Sequence, residues 1–133
     1  MLQTVAAMNG SSRWKDVDAH ARVMALSSHA VVRELVDVLG ATNVAVIGGV
    51  NETRAVQQWM TSRVPQRLDE LRFALQLVMM IADKADAQTA RAWFQGSNPH
   101  LDDKVPALML REQPLSQIQR PLMEAARAFA LRP

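Results

Sequence analysis

The stretch from Gln66 to Ala82 constrains this chain most, because its apolar residues leave almost no face for water. Leu68, Leu71, Leu75, Val78 and Ile81/Ala82 recur at the spacing of a helical stripe, and Phe73, Leu77 and Met80 add a second one. A helix that is apolar nearly all round has to be wrapped by other elements, so the spacing predicts a central helix. Its longest unbroken apolar run, Leu77 to Ala82, is too short to cross a bilayer.

The rest of the chain also reads as helical. β-branched residues form no alternating runs of strand length, and the glycines and prolines fall at joints. The first helices lie within Val17 to Leu39, where Val31, Leu35 and Val38/Leu39 make the stripe and Val32 and Val36 widen it, and Gly40 ends them. Thr42 or Asn43 caps a short helix across Val44 to Ile47, which Gly48-Gly49 terminates. Asn51 caps the next helix, Glu52 to Ser62, and Pro65 opens the long one from Gln66. Asp86 caps Ala87 to Gln95, Gly96-Ser97-Asn98-Pro99 turns the chain, and Pro106 starts a short helix through Arg111. A last helix fills much of Leu115 to Leu131, where Pro121 must start its main part or kink it. The expected architecture is all-α and compact, in three parts: a flexible segment 1–16, a helical region 17–64, and a connecting helix with a C-terminal domain, 65–133.

Composition narrows the chemistry. The chain has no cysteine, which removes disulfides, thiol nucleophiles and cysteine-based zinc sites and suits a reducing cytoplasm. His20, His29 and His100 are dispersed, without the i, i+4 spacing of a metal pair. Asp102-Asp103 are neighbours in a loop and diverge, and Gly48-Gly49 lacks the strand and glycine spacing of a phosphate loop. These absences point away from an enzyme and from any metal or cofactor. The first residues carry no basic region ahead of their apolar stretch, so a soluble, cytoplasmic protein with no membrane partner is expected. A net charge of +2 permits nucleic-acid binding without requiring it.

The middle of the chain carries the pattern of a helix-turn-helix. Ala45 is small enough for two helices to cross closely, Gly49 tolerates positive φ, Val50 tucks beneath, and Val56 with Trp59 faces inward. With Asn51 at its start, the second helix then presents Thr53, Arg54, Gln57 and Gln58 outward, where arginine and glutamine suit guanine and adenine edges. Arg63 and Arg67 follow as phosphate contacts. The inward pair falls one residue later relative to Gly49 than is usual, which a one-residue longer turn accommodates. The same residues also suit two core helices with a solvated face. Reading DNA this way normally takes two copies on a pseudo-palindrome, so a homodimer is expected; the C-terminal apolar face of Ile118, Leu122 and Phe129 is one candidate for its surface and equally suits the toxin or the core.

The stretch Ala92-Trp93-Phe94, Ser97-Asn98-Pro99-His100-Leu101 and Val105-Pro106-Ala107-Leu108-Met109-Leu110 resembles the toxin-binding domain of Xre/MbcA/ParS-type antitoxins. In that family a tryptophan-containing helix end, an asparagine-proline turn, a leucine and a proline-started helix follow a helix-turn-helix and a connecting helix. Pro65-Gln66-Arg67-Leu68 is similar to the start of that connecting helix. The sequence departs from the family at Asp102-Asp103-Lys104, where glycine is usual, and at Pro121, where the last helix normally runs uninterrupted. The resemblance covers about residues 30–130 and implies an antitoxin that binds a RES-domain, NAD-consuming toxin and represses its own operon at operator DNA. It places toxin contacts at Asn98, His100, Leu101, Lys104 and Pro106, and in the tail at Phe129, Leu131, Arg132 and Pro133. Without the toxin, the same helix-turn-helix would make a free-standing transcription regulator.

Overall fold

A computed structural model of the chain describes residues 12–82 and 86–131, and eight α-helices lie among them. They are α1 (Ser12–Ala25), α2 (Ser28–Leu39), α3 (Ala41–Ile47), α4 (Thr53–Trp59), α5 (Leu68–Ala82), α6 (Ala87–Gln95), α7 (Pro106–Glu112) and α8 (Leu115–Ala130), with a 3-10 turn at Pro99–Leu101. The protein is all-α. No helix among the described residues is long and apolar enough to cross a membrane.

Helix α5 is the centre that its stripes predict: Leu71 and every residue from Phe73 to Ile81 are buried. It packs most extensively against α8, α1 and α2, and also touches α3 and α6. Even Gln76 is buried, with its Oε1 3.3 Å from His20 Nδ1. One contiguous apolar cluster runs from Ala19 of α1 to Ala126 of α8, so the two halves of the chain share a core.

Several boundaries differ from the expected ones. Helix α1 starts at Ser12, inside the segment expected to be flexible; residues 1–11 of that segment lie outside the described residues. Neither Thr42 nor Asn43 caps α3. Gly40 closes α2 and its carbonyl accepts from Val44 N at 3.2 Å, so the backbone starts α3 directly. Asn43 is buried instead, donating to Leu39 O at 2.7 Å and accepting from Gln95 Nε2 at 3.3 Å. Helix α4 is shorter than expected, because the chain turns at Met60 after the buried Trp59. Helix α5 begins at Leu68, since the Arg67 carbonyl accepts from Leu71 N. Helix α8 runs from Leu115 straight through Pro121, which settles the choice between a start and an interior position. The proline has no N–H for the Gln117 carbonyl, which sits on an exposed residue where water can serve it.

Four arginines hold the elements together in a way that local pattern did not indicate. Arg72 Nη1 donates to Val23 O (2.7 Å) and Leu26 O (2.8 Å) at the end of α1. Arg91 Nη2 donates to Val38 O of α2, Arg111 donates to carbonyls at the end of α3, and Arg67 Nη2 donates to Leu110 O of α7. The last carbonyls of a helix have no partner within it and carry its negative end, so a guanidinium from another element both satisfies and neutralises them. Part of the basic excess is therefore structural.

Candidate functional site

The α3–α4 pair is built around two glycines. Gly49 has φ +79°, and the bonds Val50 N to Ala45 O (3.0 Å) and Gly49 N to Val46 O (3.2 Å) form a Schellman motif that ends α3. Gly48 is needed for space: a Cβ there would lie 2.6 Å from Trp59 Cζ3 and 2.7 Å from its Cη2. Trp59 thus crosses the end of α3 at the glycine, while Ala45 and the fully enclosed Val56 fill the interior, as expected of this spacing. The Trp59 carbonyl is 2.8 Å from His29 Nδ1, which ties the end of α4 to α2.

On the outside, Thr53, Arg54, Gln57 and Gln58 are exposed at i, i+1, i+4 and i+5, which is one face of α4, and Arg63 is exposed just beyond it. Two expected nucleic-acid contacts change role. Arg67 is drawn under the turn, bonded to Leu110 O and 3.5 Å from Glu70 Oε2, so its charge is engaged within the fold rather than offered to a phosphate. Asn51 is exposed but does not cap α4, whose N-cap residue is Glu52 with no side-chain bond; the Asn51 Oδ1 accepts from Arg111 Nη2 at 2.8 Å.

A second surface surrounds the 3-10 turn. Trp93, Ser97, Asn98, Pro99, His100, Ala125 and Phe129 line a groove of about 190 Å³ between the 3-10 turn and α8. Asn98 builds it. Its buried side chain accepts from His100 N at 2.9 Å, its N–H donates to Lys104 O at 3.0 Å, and its carbonyl accepts from Leu101 N and Asp103 N. Leu101 to Lys104 then closes as a tight turn, Lys104 N to Leu101 O at 3.1 Å, with Asp102 and Asp103 both at positive φ. Aspartate tolerates that region better than most residues, so the loop closes without the glycine that the family pattern has there.

Of the residues expected to meet a toxin, Asn98, His100 and Phe129 come together on this groove, and Lys104 is exposed at its loop. Leu101 and Pro106 are buried and hold the loop and α7 in place, so they are corrected from contacts to supports. Leu131 is 62% exposed; Arg132 and Pro133 lie outside the described residues. Trp93 packs edge-on to Phe94, ring centroids 5.1 Å apart, and combines core packing with a wall of the groove. Of the three roles open to the C-terminal apolar face, Ile118 and Leu122 take the core one, both being enclosed, while Phe129 stays half-buried at the groove. Sequence reasoning missed Arg111, whose acceptors are 60 to 66 residues away. Among the described residues, no three His, Asp or Glu side chains gather closely enough to hold a metal ion.

The arrangement defines an all-α protein with an exposed polar face on α4 and a small groove between the 3-10 turn and α8. No protein-family model, curated protein or solved structure matches the chain.

Proposed function

We propose that the chain is an antitoxin of the Xre/MbcA/ParS type, which neutralises a RES-domain, NAD-consuming toxin by direct binding. In this reading α3 and α4 act as a helix-turn-helix that represses the antitoxin's own operon, with the protein working in the cytoplasm as a homodimer. The observation that carries the reading is the groove. Trp93, Asn98 and His100 join Phe129, some thirty residues later, on one surface where the resemblance puts the toxin contacts. An inhibitor of this kind needs shape and desolvated contact area rather than catalytic groups, and an aromatic-walled groove with a half-buried phenylalanine supplies both.

The exposed face of α4 supports the second activity. On DNA from upstream of the gene, Arg54→Ala and Gln57→Ala are each expected to cost about 1–3 kcal/mol of binding, the value of a good bidentate base contact. Fluorescence anisotropy across a salt series measures this, and Arg63→Ala should lower the salt slope by about one without changing sequence preference. Unchanged affinity in the Arg54 and Gln57 variants rejects α4 as the reading helix. The free-standing regulator is the second reading, since the exposed face of α4 serves it without a toxin partner. Formation of a complex with the toxin separates the two.

A further inference from the structure

Arg111 stands on α7, in the half of the chain assigned to toxin binding, yet its guanidinium donates to the end of α3 and to the turn that leads into α4. Its Nη1 lies 3.2 Å from Val46 O, 3.0 Å from Val50 O and 3.5 Å from Ala45 O, and its Nη2 lies 2.8 Å from Asn51 Oδ1. These acceptors are the end of α3, the turn, and the residue two places before Thr53, where α4 begins. A guanidinium offers its donors in a rigid planar fork, so groups bonded to both ends of it are held at a fixed relative placement. The Schellman bonds and Trp59 hold the end of α3 and the far end of α4, whereas the entry to α4 has no side-chain cap of its own, Glu52 making no such bond.

We infer that Arg111 is a positioning residue for nucleic-acid reading: it sets the pose of α4 from the opposite half of the molecule without touching DNA. The inference rests on the assignment of α4 as the reading helix. It makes α7 part of the DNA-binding apparatus, and it means that residues 17–64 alone would present α4 without the guanidinium that fixes its entry. Arg91 provides the comparison, since it too donates to a helix end, Val38 O of α2, but away from the turn.

The test uses the full chain with Arg111→Met and Arg91→Met, measuring binding to the upstream DNA over a salt series, and backbone hydrogen exchange. Arg111→Met is expected to weaken binding at least ten-fold with an unchanged salt slope, and to speed exchange in the turn between α3 and α4 while the α5 core stays protected. Arg91→Met should keep wild-type affinity. Unchanged exchange in the turn overturns the clamp, and faster exchange with unchanged affinity overturns its part in reading. A salt slope reduced by about one assigns Arg111 to a phosphate and also overturns the inference. An equal loss of affinity in both variants reduces the effect to general destabilisation, with the same consequence. If the wild-type chain binds no DNA, the assignment of α4 falls and the inference falls with it, whereas the exchange result still judges the clamp by itself.

Discussion

Replacing Trp59 by alanine is expected to destabilise the protein by about 3–5 kcal/mol, the range for losing a large buried aromatic. Trp59 is 7% exposed and lies across Gly48 so closely that no Cβ fits between them. Alanine would leave a void there that neither the end of α3 nor the Schellman turn can fill by closing up. Helix α4 has only seven residues, far below the length at which an isolated helix holds in water, so its order depends on this contact and on Val56. If α4 reads DNA as proposed, the variant should therefore lose that affinity even though Trp59 does not face outward. Urea denaturation measures the stability change, and a loss below about 1 kcal/mol would mean that α4 is not anchored through this ring.

Phe94→Ala is expected to cost about the same, about 3–5 kcal/mol, for a different reason. Phe94 is fully enclosed in the cluster that α1 to α8 share, and it backs Trp93, the wall of the groove. Against a typical total of about 5–15 kcal/mol, this one substitution removes a large share of the stability. Because one core serves both halves, the variant should unfold in a single transition at lower denaturant, with helix content and tryptophan fluorescence changing together. A two-step unfolding in which the α3–α4 half outlasts the rest would contradict the shared core.

What could be read in the sequence was what short-range geometry decides. The all-round apolar run in α5, the Gly48-Gly49 turn, the inward Val56/Trp59 pair, the Asp86 cap and the Pro106 helix start all depend on residues within a few positions of one another. Side-chain caps were less legible where a backbone group could do the same work. Gly40 begins α3 through its carbonyl, so the capping potential of Thr42 and Asn43 goes unused. Roles set by distant partners were not legible at all. Arg67 looks like a phosphate contact until Leu110, 43 residues on, supplies an acceptor, and Arg111 looks like a surface charge until the turn folds beneath it. For the groove, the turn at Asn98 was readable, whereas its meeting with Phe129, 31 residues on, depends on how α8 packs and no local pattern indicated it. The burial of Leu101 was not, because an apolar loop residue can face either way.

Toxin neutralisation through the groove is the core of the proposed function. Its most direct test is to co-express the full chain with a RES-domain protein, reading growth, cellular NAD and co-purification. The wild-type chain is expected to restore growth, preserve NAD and co-purify with that protein, while a folded His100→Ala/Phe129→Ala variant should do none of these. Persistent toxicity with no complex between the wild-type chain and that protein would contradict the claim.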